Sequence, residues 1–146
     1  MATNLAVLTY DPKKTVVTWG GVIVTGFADG SFITMTRSGD VFEKRKGADG
    51  SVDRINKNAN DFTVQLTIMQ TSPTNDALSA LLLVDQSLNT SVLPLTVKDL
   101  SGTTLFFAPQ AWIQKDPDDE FSDSLGSRQW TFATGIASKY TGGNLL

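Results

Sequence analysis

The chain has 146 residues, 40% of them hydrophobic and 18% charged, which predicts a globular chain with one core of ordinary size. Fifteen acidic residues outnumber twelve basic ones, for a net charge of −3, which argues against nucleic-acid binding through phosphate neutralisation. Cysteine and histidine are both absent, so disulfides, thiolate chemistry, iron–sulfur clusters, thiolate zinc sites and the Ser-His-Asp triad are excluded.

Residues 2–9 are mildly apolar and read as a short strand or an arm. They carry no basic region ahead of the apolar patch, so they do not read as a secretory signal. Asp11-Pro12 marks a turn. Thr15 to Trp19 alternates, with Val17 and Trp19 on one face. After Gly20-Gly21, the stretch GGVIVTGFADGSFITMTR (Gly20–Arg37) predicts a β-hairpin turning at Asp29-Gly30, because a type I′ turn needs positive φ at its centre. A two-residue turn there pairs Thr25 with Thr34 and puts Thr36 on the same face. Val22, Val24, Ile33 and Met35 then face the core.

Ser38 to Asn60 is the most polar part of the chain. Val41–Lys46 and Ser51–Asn56 suit a second hairpin across Asp49-Gly50, with too few apolar residues to bury much surface of its own. Two readings stand for this excursion: a projecting element that orders against another molecule, or a solvated, partly mobile one. Lys44, Arg45 and Lys46 lie among Asp40, Glu43, Asp49 and Asp53. That mixed pattern suits subunit pairing better than nucleic acid, with a solvated face as the alternative.

Asp61 to Met69 alternates cleanly. Phe62, Val64, Leu66 and Ile68 point one way, and the mostly uncharged Thr63, Gln65 and Thr67 point the other, toward water, a neighbour or a lumen. Ser72-Pro73 then opens a helix over about 73–88. Its stripe of Ala77, Leu78, Leu81, Leu82, Val84 and Leu88 is expected to cover a sheet, with Asn75, Ser79, Asp85 and Gln86 outward.

Strands return from Val92. Leu93, Leu95 and Val97 alternate, Ser101-Gly102 turns, and Thr104–Ala108 runs back until Pro109 interrupts it or begins a new edge. Ala111–Lys115 follows, then the acidic loop DPDDEFSD (Asp116–Asp123). Arg128–Ile136 alternates again, with Trp130, Phe132 and Ile136 on one face. Eight to ten strands around one helix, without βαβ alternation, predict a mainly antiparallel β-sandwich or barrel with a flanking helix.

No catalytic constellation is visible. The acidic loop lacks EF-hand spacing, so a solvated loop or a charge patch answering a basic neighbour is preferred to calcium. The glycine pairs Gly20-Gly21 and Gly142-Gly143 fit neither a P-loop nor a dinucleotide fingerprint. Trp19, Trp112 and Trp130 all sit in apolar strand contexts and are expected in the core. That counts against a carbohydrate-binding β-sandwich, which needs exposed aromatics.

The runs YDPKK (Tyr10–Lys14), GGVIVTGFADGSFI (Gly20–Ile33), GADG (Gly47–Gly50), QTSPTNDALSALLLVD (Gln70–Asp85) and KDLSGTTLFFAPQAWI (Lys98–Ile113) resemble, in their order and spacing, the tail tube proteins of contractile-tailed bacteriophages and related prophage-derived particles. The resemblance spans about Tyr10 to Asn144 and leaves out the first nine residues and the acidic loop. It implies one tail tube domain over residues 1–146, and a structural protein rather than an enzyme. It implies hexameric rings that stack into an inner tube, the conduit for DNA in a virion assembled in the host cytoplasm. A sheath lies outside such a tube, a tape-measure protein and passing DNA lie inside without specific binding, and baseplate and terminator proteins meet its ends. No cofactor, metal or membrane insertion is implied. A type VI secretion-like tube or effector carrier is the alternative of similar fold. In such tubes a hairpin in the first half of the chain reaches the adjacent ring. The excursion at about 38–60 holds that place, with Asp40, Phe42, Lys44, Arg45, Lys46, Asp49, Asp53 and Arg54 as the expected inter-ring residues. Thr25, Thr34 and Thr36 are the expected lumen-facing residues.

Overall fold

The computed structural model describes residues 7–144. The expected arm at residues 2–9 therefore lies largely outside the described residues. Asp11 caps a short 3-10 turn, Pro12–Lys14, by accepting the Lys13 N–H at 3.0 Å. Ten strands and one helix follow: β1 (Thr15–Trp19), β2 (Val22–Ile23), β3 (Ile33–Arg37), β4 (Phe42–Lys46), β5 (Val52–Asn56), β6 (Phe62–Met69), α1 (Thr74–Leu88), β7 (Leu93–Asp99), β8 (Leu105–Lys115), β9 (Ser127–Thr134) and β10 (Ser138–Tyr140).

All described pairings are antiparallel, in the order β2-β1-β7-β8-β9-β6-β3, with β10 joined to β8. The eleven-residue strand β8 links the two halves of this sheet. Its first part pairs with β7 and β10, and its second part pairs with β9. The chain gains one residue against β7 around Pro109, where Leu95 faces Ala108 but Leu93 faces Ala111. Proline, which has no N–H to give a ladder, thus sits in a bulge that lets the strand continue, rather than ending it.

The two halves of the sheet pack face to face. Trp19 on β1 meets Phe132 on β9 edge-on at 5.2 Å, and Phe62 on β6 meets Phe106 on β8 at 5.1 Å. Phe62, Val64, Leu66 and Ile68 are buried, as the alternation of β6 predicts. The result is the expected antiparallel sandwich with a flanking helix. Ile136 departs from expectation. It lies beyond the end of β9 and is exposed.

The hairpin expected over Gly20–Arg37 does not form. Gly20-Gly21 is itself the turn, joining β1 to β2 with Trp19 opposite Val22 and with φ of +56° and +93°. β2 ends after Ile23, and β3 pairs with β6. Between them Ala28 donates to the Thr67 carbonyl at 3.1 Å, and Thr67 donates to the Phe32 carbonyl at 2.8 Å. Asp29-Gly30 is a kink in a segment already held by β6. Gly30 does adopt φ +82°, so its local chemistry was as expected, but β6 supplies the pairing partner.

Helix α1 begins one residue later than its proline. Pro73 takes the capping position with no side-chain cap bond. Ser72 Oγ accepts the Thr74 N–H at 3.2 Å and donates to the Thr25 carbonyl at 2.6 Å. Asn89, at φ 55°, closes the other end in the left-handed conformation. The apolar stripe covers less than expected: Leu78 is buried, Leu81 and Leu82 are partly buried, and Leu83, Val84 and Leu88 are exposed. Asn75 faces inward instead. Its Oδ1 accepts the Trp130 indole N–H at 3.0 Å, and its Nδ2 donates to the Met69 and Ser72 carbonyls.

Candidate assembly surfaces

The most exposed element is the β4–β5 hairpin. It forms its own two-stranded sheet, paired to no strand of the main sheet. All ten of its strand residues are exposed. Its base is pinched. Ser38 Oγ donates to Asp61 Oδ1 at 2.7 Å, and Arg37 donates to the Ala59 carbonyl at 2.7 Å while its guanidinium covers the Phe62 ring at 4.7 Å. At the tip, Asp49 Oδ1 accepts both the N–H and the hydroxyl of Ser51, at 3.1 and 2.7 Å. These bonds, the hydroxyl's first, hold the Asp49 carboxyl below its ordinary value.

The register brings several expected residues together. Lys44 stands opposite Arg54 and Arg45 opposite Asp53, and the Arg54 guanidinium lies 4.4 Å over the Phe42 ring. Asp40 precedes β4, and Asp49 belongs to the turn. Lys57, which is not among the expected residues, pairs with Glu43 at 3.2 Å.

A second surface is the outer face of β3, β6 and β9. Thr34, Gln65 and Thr131 form one row across the three strands, and Thr36, Thr63 and Ala133 form the next. Thr67 and Gln129 extend it. This face carries no charge on those strands. Thr34 and Thr36 therefore share a face as expected, but Thr25 does not join them. Its N–H donates to Thr74 Oγ1 at 3.0 Å, and it belongs to the start of the helix. Trp112 also departs from expectation. Its neighbours Ala111 and Ile113 are buried, so alternation turns it outward beside Ala133, where it is half-buried. Trp19 and Trp130 are in the core, as expected.

A third surface is apolar. Leu83 and Leu88 on α1 are 65% and 66% exposed, and Ile23 on β2 is equally open. The fourth is the 116–126 loop between β8 and β9. Sequence reasoning missed its anchor: Arg128, on the inner side of β9, meets Asp119 at 3.4 Å and lies 5.4 Å from the Phe121 ring. Among the described residues no three acidic side chains converge as a metal site would require. A cleft of about 340 Å³ is lined by Tyr10, Thr15, Phe32, Met35 and Val97 among others.

Residues 11–142 match the family model of the bacteriophage PhiTE tail tube protein. Structural protein ORF10 of Pseudomonas phage KPP10 is 28% identical over 123 residues, covering 83% of this chain and 71% of that protein. In fold, the chain is similar to the tube-terminating cap of an anti-feeding prophage, with a TM-score of 0.65 at 15% identity, covering 95% of this chain and 96% of that one. It is also similar to the sheath/tube terminator of the extracellular contractile injection system PVC, with a TM-score of 0.63 at 13% identity, covering 96% and 100%.

Proposed function

Because the chain belongs to the bacteriophage PhiTE tail tube protein family, a family of structural proteins and not of enzymes, we propose that it forms hexameric rings that stack into the inner tube of a phage tail. The uncharged threonine and glutamine face of β3, β6 and β9 is the observation that carries this reading. A conduit wall must let a polyanion slide. Cations would hold phosphates at each step, whereas hydroxyls and amides make only weak, replaceable bonds. Thr34 and Thr36 lie on this wall, with Thr63, Gln65, Thr67, Gln129 and Thr131.

The remaining surfaces then have uses. The edges at β2 and β3 offer unpaired ladder groups that neighbouring subunits complete within a ring. The apolar strip of α1 is covered by assembly. Residues 1–146 act as one tube-forming domain, and the β4–β5 excursion reaches the next ring through Asp40, Phe42, Lys44, Arg45, Lys46, Asp49, Asp53 and Arg54. A sheath surrounds the tube. A tape-measure protein and DNA occupy the lumen, baseplate and terminator proteins meet the ends, and assembly takes place in the host cytoplasm.

The two structural relatives named above favour a second reading, in which the chain is a tube-terminating cap. A cap stops at one ring, whereas a tube subunit stacks without limit. Negative-stain microscopy and sedimentation of the purified protein test both. Tubes of indefinite length with a central hole support the tube subunit, single rings support the cap, and a monomer at high concentration contradicts both.

A further inference from the structure

In a two-stranded ladder, directly paired residues share a face. On one face of β4–β5 this sets Phe42 beside Asn56, Lys44 beside Arg54, and Lys46 beside Val52. On the other it sets Glu43 beside Ile55 and Arg45 beside Asp53. The second face is charge-balanced, with Glu43 also paired to Lys57. The first carries three exposed cations and no anion, flanked by exposed Phe42 and Val52. Like charges directly opposite each other disfavour a hairpin. An unpartnered sheet face of this kind suits an acidic partner that also offers some apolar contact.

The same chain carries such a partner at its other end. The hairpin connects the end of β3 to Phe62, the first residue of β6. The 116–126 loop leads into Ser127, which pairs with Met69, the last residue of β6. The two elements are thus separated by the eight residues of β6, about 25 Å along the strand. Within that loop Asp119 is engaged by Arg128, and Asp118 lies 4.0 Å from Lys115. Asp116, Glu120 and Asp123 have no ion-pair partner among the described residues, and Phe121 beside them is 80% exposed. Three anions and an exposed aromatic at one end answer three cations and two exposed apolar side chains at the other, none of the six charges having an ion-pair partner among the described residues.

We propose that the cationic β4–β5 face of one copy docks on the 116–123 loop of a second copy, and that Lys44, Lys46 and Arg54 set the register between stacked rings against Asp116, Glu120 and Asp123. This rests on the tube reading and adds the receptor for its inter-ring hairpin. A contact between opposite ends of identical subunits is heterologous, so it repeats without closing and gives an open-ended assembly. Exposed complementary charges act mainly on register and encounter rate, and salt weakens them.

Charge reversal in the full-length chain tests it. Lys44→Glu/Lys46→Glu/Arg54→Glu and Asp116→Lys/Glu120→Lys/Asp123→Lys are compared with wild type and with all six changes together. Unchanged melting of the subunit shows that folding is intact. Either triple change alone is expected to reduce the fraction of rings in tubes about tenfold at about 0.1 M salt, and the sixfold variant is expected to restore it. Hairpin reversal that blocks stacking while loop reversal does not, or a sixfold variant that fails to recover, overturns the pairing but leaves the tube reading intact. Failure of wild type to form tubes, whether it stays as single rings or as a monomer, overturns the tube reading, and the pairing with it. If the hairpin face instead retains duplex DNA in a salt-sensitive way, and loop reversal leaves tubes unaffected, the partner is nucleic acid and the proposal falls.

Discussion

Lys44 stands directly across the β4–β5 ladder from Arg54, cation against cation, while Arg54 stacks on Phe42 at 4.4 Å. Such a pair costs the isolated hairpin a few tenths of a kcal/mol, up to about 1 kcal/mol. Lys44→Glu is therefore expected to slow amide hydrogen exchange across Phe42–Asn56 in the unassembled subunit. A faster exchange in that variant would show that the like-charge pair carries no cost.

The pinched base of the excursion predicts that the rest of the fold does not need it. Ser38–Asp61 and Arg37–Ala59 close the chain below β4 and β5. Deleting Lys44–Arg54 is expected to leave the melting temperature of the subunit nearly unchanged while abolishing ring stacking. Calorimetry and electron microscopy of one preparation check both. Tubes that persist would remove the hairpin from the inter-ring contact.

Asp49 supplies a pH dependence. Its carboxyl lies below its ordinary value in the folded hairpin, first because of the Ser51 hydroxyl and then the Ser51 N–H. A depressed carboxyl contributes stability above the unfolded value, and that contribution is lost as pH falls through the folded one. The tip is thus expected to loosen only below about pH 4. An NMR titration should show the Asp49 midpoint rising toward the ordinary value in Ser51→Ala. An unmoved midpoint would exclude the hydroxyl as the main cause.

Asn75 joins the helix to the sheet through Trp130 and two carbonyls. Asn75→Ala leaves the buried indole N–H without its acceptor, at a cost of about 1–3 kcal/mol. Denaturant unfolding followed by tryptophan fluorescence measures it. A loss under about 0.5 kcal/mol would mean that water replaces the amide at once.

The helix has one buried side and one open side. Leu78→Ala empties a buried site and is expected to destabilise the subunit by about 2–5 kcal/mol. Leu88→Ala, at a residue 66% exposed, is expected to stay within about 0.5 kcal/mol. Equal losses at the two positions would contradict the packing of α1 described above.

Much of this was legible in the residues. The period-two run of β6, the helix over 74–88 and the ends of β4 and β5 follow from local pattern and turn chemistry. Pairing across distance was not. Asp29-Gly30 carried a sound hairpin signal, yet β6 took the hydrogen bonds on both sides of it, because an eight-residue alternating strand offers more burial than a two-residue β2. Trp112 lay between two apolar neighbours, and only the strand's alternation decides which of the three turns outward. The charges of the hairpin were plain, but their separation into a cationic face and a balanced one depends on register, which the Gly47–Ser51 turn sets. The acidic loop was equally plain as composition. Its place at the far end of β6 comes from topology.

A reconstruction of tubes assembled from the purified protein shows whether the β3–β6–β9 face lines a lumen. Stacked rings with Thr34, Thr36, Gln65 and Thr131 on the inner wall are the expected result. A tube whose inner wall is formed by the α1 side of the subunit, or a protein that stays monomeric at high concentration, would contradict it.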